Sequence, residues 1–170
     1  MTEAASHREA ASRLEAASRL ERVLETAPPR LAGIGEDDAG RRPASGGWSK
    51  KQILGHLIDS AGNNHRRFVR AQLAERLEFP NYQQEAWVAA QSYATEPWPD
   101  LVNLWLLLNR HLLHIVRNTP AERLSHTCSI GGKDPMALAD LMEDYVRHME
   151  HHLDQIFGSG AGPEGSPSGY

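Results

Sequence analysis

Two histidines, His148 and His152, stand four residues apart in the stretch Asp144-Tyr145-Val146-Arg147-His148-Met149-Glu150-His151-His152-Leu153-Asp154-Gln155-Ile156. In a helix this spacing projects both imidazoles from one face, within reach of a single ion. A lone histidine on an apolar face is usually a satisfied core residue. Two side by side raise the stakes, because each imidazole buried without a partner costs on the order of 1–3 kcal/mol. A divalent metal answers both by taking one nitrogen of each, although surface pairs at this spacing also arise by chance. The chain has nine histidines and a single cysteine, Cys128. An internal disulfide framework and a multi-cysteine zinc site are therefore excluded, and any metal would be held by nitrogen and oxygen.

Several better-known patterns fail on inspection. His148-Met149-Glu150-His151-His152 does not supply the His-Glu-x-x-His of zincins. His148-Met149-Glu150 lacks the Pro-Cys-x-x-Cys half of nucleobase deaminases. The repeated Glu-x-x-His of di-iron bundles is absent. A mononuclear site remains.

The elements that would position such a site follow from periodicity. Three hexamers beginning Glu3, Glu9 and Glu15 each open Glu-Ala-Ala-Ser. A six-residue period turns through about 600° at 100° per residue and keeps no constant face, so residues 1–13 read as an exposed extension. A first helix is expected over roughly 12–27, stopped by Pro28-Pro29. After a Pro/Gly-rich connection, Ser49-Lys50-Lys51-Gln52 forms a capping box that opens helix two. Its apolar stripe runs from Ile53 through Leu73, bordered by a polar row of His56, Ser60, Asn64 and Arg67 that suits a pocket lining.

Phe79-Pro80-Asn81-Tyr82 ends that helix, and Gln83 to Gln91 suits a short extra one. Helix three spans Leu101 to Arg117, with a core stripe of Leu101, Leu104, Trp105, Leu108, Leu112 and Ile115. A second stripe, Val102, Leu106 and Leu113, is expected under the loops or against a partner subunit. Gly131-Gly132 marks a turn or hairpin, Asp134 and Pro135 offer a cap and first position for helix four, and the Gly/Ser/Pro-rich tail over 158–170 reads as disordered. The fold class is all-α: an antiparallel four-helix bundle over 14–157, with a short extra helix between helices two and three.

Within helix four, His152 falls inside the apolar stripe, His148 at its margin and His151 on the far side. If helices two and four are antiparallel, His56 near the start of the former meets His148 and His152 near the end of the latter. His111 is the runner-up, and His65 lies further along helix two.

The segments Trp48-Ser49, Ile53-Leu54-Gly55-His56-Leu57-Ile58-Asp59-Ser60 and Asn64-His65-Arg66-Arg67-Phe68, together with Asp144 to Ile156, closely resemble the DinB-like superfamily. The likeness covers roughly residues 15–157, including Phe79-Pro80-Asn81-Tyr82 and Leu104-Trp105. The resemblance implies a four-helix bundle holding a divalent metal on His56, His148 and His152. It further implies metal-dependent hydrolysis, or transfer involving a low-molecular-weight thiol such as bacillithiol or mycothiol, and frequent dimers.

Three neutral imidazoles leave the ion's charge uncancelled and a coordination position open. A water there would be acidified towards a pKa of about 7, whereas a thiol would be held as thiolate. The expected function is thiol-dependent S-transfer to small electrophiles. The alternatives are metal-dependent hydrolysis and a noncatalytic metal- or ligand-binding stress protein. Imidazole donors suit zinc, nickel, iron and copper, with zinc and nickel preferred. Asp59 and Asp144, each one turn from a histidine, are candidates to orient the rings, or else are solvated helix carboxylates. Asn64 and Arg67 are candidates to contact substrate, or else form a bridge between helices.

A net charge of -4 with no basic block argues against nucleic acid as a partner. The longest apolar run, Leu104 to Leu108, is far short of the roughly 20 residues that cross a bilayer. A cytoplasmic homodimer acting on a small molecule, with no membrane partner, is expected.

Overall fold

The computed structural model describes residues 3–44 and 46–158. Four long helices carry the fold: α1 (Glu3–Ala32), α3 (Lys50–Ala71), α5 (Trp98–Asn118) and α6 (Leu138–Phe157). Two short helices, α2 (Glu36–Gly40) and α4 (Gln84–Ala90), lie in the connections. Each long helix packs against two others, in the cyclic order α1, α6, α3, α5. Their directions follow from specific contacts. Ser12 Oγ donates to Glu143 Oε2, Arg19 pairs with Glu150, and the Arg30 guanidinium lies over the Phe157 ring, so α1 and α6 run parallel. Arg13 Nη1 donates to the Arg117 carbonyl at 2.7 Å and Trp98 Nε1 to that of Leu31 at 2.9 Å, so α1 and α5 are antiparallel. His56 meets His152 while Phe68 meets Tyr145, which makes α3 and α6 antiparallel. The path is up, down, down, up, and the antiparallel pairing expected of helices two and four holds.

That path also accounts for a small sheet. Because α3 and α5 point the same way, the segments leaving them do too. β1 (Arg76–Phe79) thus pairs in parallel with β2 (Thr127–Ile130), Leu77 opposite Cys128 and Phe79 opposite Ile130. The chain then reverses through Gly131 and Gly132, at φ 61° and 75°, values that glycine adopts without strain. β3 (Met136–Ala137) pairs antiparallel with β2 and leads into α6. The expected hairpin at Gly131-Gly132 is present, but α6 begins at Leu138 with Ala137 as its N-cap, so Asp134 and Pro135 lie in the turn instead.

α1 departs most from expectation. It runs through Pro28 and Pro29, and Leu31 beyond them is fully buried. Two missing N–H donors and ring clashes oppose this, at about 3 kcal/mol or more per interior proline. Burial of Leu31, its carbonyl's bond from Trp98 and the stacking of Arg30 on Phe157 hold the last turn. At the other end, residues expected to be an exposed extension are helical from Glu3, and Glu9 is buried. The hexamer repeat is overridden by a seam at helical spacing, Glu9, Arg13, Ala16, Leu20, Ala27 and Leu31, in which small alanines admit close approach. Leu14, where the bundle is expected to begin, is 59% exposed.

The core between the helices is built from Leu20, Leu54, Phe68, Trp105, Leu112 and Met149, all fully buried and each worth roughly 1.5–3 kcal/mol of transfer. On α5 the buried stripe is Leu101, Val102, Trp105, Asn109, Leu112, Leu113 and Val116. Val102 and Leu113, assigned above to loops or a partner, therefore belong to the core, while Leu104 and Leu107 are exposed. Val69 and Leu73 likewise lie outside the buried stripe of α3, which ends at Ala71. Of the expected tail, residues after Gly158 lie outside those described. No described helix is long and apolar enough to cross a membrane.

Candidate metal centre

The centre begins with the cap of α3. Ser49 Oγ accepts the Gln52 N–H, and Gln52 Oε1 accepts the Ser49 N–H at 3.1 Å, closing the capping box. Lys50 and Lys51 anchor this turn to Asp38 and Glu36 of α2. His56 follows two turns later, fully buried and beside the Trp48 ring, whose centroid is 5.2 Å away. From α6, His152 is buried and His148 half-buried. The three rings crowd one point: centroids are 5.0 Å apart for His56 and His148, 4.8 Å for His56 and His152, and 4.5 Å for His148 and His152.

Nε2 of His56 lies 3.1 Å from Nε2 of His148, and one nitrogen from each of the three rings lies within 4.8 Å of the others. Two imidazoles bound to one tetrahedral ion with bonds of about 2.0–2.1 Å have their nitrogens about 3.3 Å apart. The His56–His148 spacing fits that requirement. Nδ1 of His56 and Nδ1 of His148 are buried without a hydrogen-bond partner. Burial, followed by repulsion from the neighbouring imidazole His152, pushes the pKa of both His56 and His148 down to about 3. Burial also lowers that of His152. Rings kept neutral keep a lone pair available, so the donor set suits a divalent ion.

The sequence placed these three histidines together and left one supporting residue unassigned. Gln155 Oε1 accepts from Nδ1 of His152 at 2.9 Å, which leaves Nε2 of His152 free to face the centre. The Gln155 amide contacts His151 on its other side, at 3.0 Å. The signal was present: Gln155 is three residues after His152 and four after His151. Gln155→Ala is expected to lower metal affinity 10- to 100-fold, the range typical for loss of a group that orients a ligand, as checked by competition with a coloured chelator.

The carboxylates proposed to orient the rings lie elsewhere. Asp59 is buried, and its Oδ1 accepts from Tyr93 Oη at 2.8 Å and from Gln91. It ties α3 to the segment after α4, and Tyr93 sits so close that a Cβ on Gly55 would fall 2.2 Å from its ring. Asp144 pairs with Arg147, one turn along α6. The i,i+3 partner of its own helix outcompetes a histidine whose nitrogen is already turned inward. Asn64 and Arg67 are buried and bonded to each other, Arg67 Nη1 donating to Asn64 Oδ1 at 3.4 Å. His111, the runner-up ligand, lies beside His65 at a ring distance of 5.3 Å and is not in the cluster. His126 is buried against the end of α3, with Nδ1 on the Ala71 carbonyl.

This chain is 27% identical over 134 residues to a protein of Geobacillus thermodenitrificans described as a "putative metal-dependent hydrolase", covering 74% of this chain and 71% of the other. It is 22% identical over 139 residues to a protein of Oceanobacillus iheyensis given the same description, covering 79% and 80%. Its fold matches that of YfiT from Bacillus subtilis with a TM-score of 0.65 at 19% identity, over 93% of this chain and 87% of that one. YfiT is described as "a probable metal-dependent hydrolase with an unusual four-helix bundle topology". The family profile that matches spans residues 19–156, from within α1 to the end of α6, and by it the chain belongs to the DinB superfamily.

Proposed function

We propose that this protein is a divalent-metal-dependent hydrolase whose ion is held by His56, His148 and His152. The observation that carries the reading is the convergence of three imidazoles kept neutral by burial from two antiparallel helices, with Nε2 of His56 and Nε2 of His148 3.1 Å apart. The relatives' descriptions as metal-dependent hydrolases support the same reaction class.

A divalent ion bound there supplies Lewis acidity, which polarises a scissile carbonyl and makes water a nucleophile near neutral pH. The chain supplies the rest. Neutral donors leave the positive charge uncancelled, Trp48 walls one side of His56, and Gln155 fixes the His152 ring. His148 is the least buried of the three and marks the side open to substrate. Hydrolysis needs only water as its second reactant, whereas thiol transfer needs a recognised cosubstrate, so hydrolysis is the reading preferred over the S-transfer expected from sequence.

A panel of simple esters and amides, assayed with chelator-stripped protein and with protein reloaded with zinc or nickel, tests this. Turnover should vanish on stripping, return with the ion, and be absent from His148→Ala. Turnover that survives stripping, or that appears only when a small thiol is added, would overturn it.

A further inference from the structure

Arg67 is 2% exposed, yet it takes part in none of the ion pairs among the described residues. Its hydrogen bond is the long one to Asn64 Oδ1, at 3.4 Å. The contrast with Lys51 is direct: that cation is equally buried and is paired with Glu36. A guanidinium withdrawn from water without a counter-ion is costly, and a fold that keeps one needs an anion from elsewhere. The groups whose charge acts on Arg67 are the Tyr82 hydroxyl and the Cys128 thiol, and neither is a cation's natural partner at neutral pH. Tyr82 Oη is itself buried without a hydrogen-bond partner, and it lies within electrostatic reach of both Arg67 and Asp59. Oδ2 of Asp59, which is 5% exposed, is likewise unpartnered. An unsatisfied hydroxyl donor, that of Tyr82, and an unpaired cation, Arg67, thus lie within electrostatic reach of one another.

The side of α3 that carries Arg67 leads to the histidines. His56 and Arg67 are eleven residues apart, about 20° from three full turns, so they share a face, with Ser60 and Asn64 between them. Their Cα atoms are separated by about 16 Å along the axis, and the long arginine side chain, leaning towards the helix N-terminus, shortens the gap. A planar fork of donors matches a carboxylate in two-point contact, and a single guanidinium matches its single charge better than a phosphate dianion's.

We propose that Arg67 and the Tyr82 hydroxyl form a subsite for the carboxylate of an elongated organic acid, whose other end reaches the three-histidine centre. The second half of this proposal rests on the hydrolase reading; the subsite itself does not. It is tested by following the arginine Nε–Hε resonances of the full chain, with Arg67 assigned by its absence from Arg67→Met, while hexanoate, hexanamide or inorganic phosphate is added. The Arg67 resonance should shift saturably with hexanoate only, in both metal-free and zinc-loaded protein, and Tyr82→Phe should weaken the response about tenfold, the worth of a hydrogen bond to a charged group. Arg67→Met should abolish binding while keeping the wild-type zinc content and melting at or above the wild-type temperature, because it removes an unpaired buried charge.

No saturable shift, an equal response to hexanamide, or saturation by phosphate instead would overturn the carboxylate subsite. So would an Arg67→Met protein that melts well below wild type or fails to fold, since that marks a structural arginine. Failure of the wild-type protein to take up zinc, with hexanoate binding intact, would sink the hydrolase reading alone and leave the subsite standing.

Discussion

His56→Ala is expected to reduce bound metal from about one ion per chain to less than a tenth of that, with affinity falling on the order of 100-fold or more, because loss of a ligand exceeds the 10- to 100-fold cost of losing a group that orients one. The geometry explains the size of the effect. Nε2 of His56 is 3.1 Å from Nε2 of His148, and no other described histidine, cysteine or carboxylate joins the three-residue cluster to replace it. His148→Ala and His152→Ala should fail in the same way. His151→Ala is the control: its ring lies 5.2 Å from that of His152, its contact is with Gln155, and it contributes no donor to the cluster. Elemental analysis of untagged protein after dialysis checks all four. Full retention of metal by the first three variants would refute the ligand assignment.

The second large effect is the acid sensitivity of the metal-free protein. Burial holds His56 and His148 at pKa values of about 3, and the pKa of His152 is lowered by the same cause. In the unfolded chain a histidine binds its proton near pH 6.5. Between about pH 6.5 and 3 the unfolded state therefore holds more protons than the folded one, and stability rises with pH across that window. Read downwards, stability is complete above about 6.5 and is lost as pH falls towards 3, by up to about 1.4 kcal/mol per pH unit for each histidine kept neutral. Denaturant midpoints measured from pH 7.5 to 5, above most carboxylate titration, should fall steeply. They should fall less in His56→Leu, which removes one of the groups. A flat midpoint over this range would show that the rings are not held neutral by the fold.

Much of this was legible in the chain because the relevant signals are local. The capping box at Ser49 fixes where α3 starts, and hence the phase of His56, Ser60, Asn64 and Arg67 on its buried edge. The four-residue spacing of His148 and His152 on an apolar stripe does the same for α6. Antiparallel packing of two such helices then brings His56 to the pair. What was missed depended on distant contacts. Nothing near Pro28-Pro29 announces that Trp98 will bond the Leu31 carbonyl and carry α1 onward. β1 is four residues long, and its partner is about fifty residues away, aligned only because α3 and α5 run the same way. Asp59 reads in the sequence as a candidate to orient a histidine one turn away, or as a solvated carboxylate, because the sequence does not show that Gln91 and Tyr93 fold back onto it. Leu104 and Leu107 show the limit of pattern on a helix that is apolar over most of its circumference: burial there is decided by neighbours, not by spacing.

X-ray absorption at the zinc edge of untagged protein loaded with one equivalent of zinc tests the central claim most directly. The predicted first shell is three imidazole nitrogens at about 2.0–2.1 Å plus at least one further light atom from solvent, the signature of a centre with an open position. A shell with fewer than two imidazoles, or one closed by four protein ligands, would contradict it.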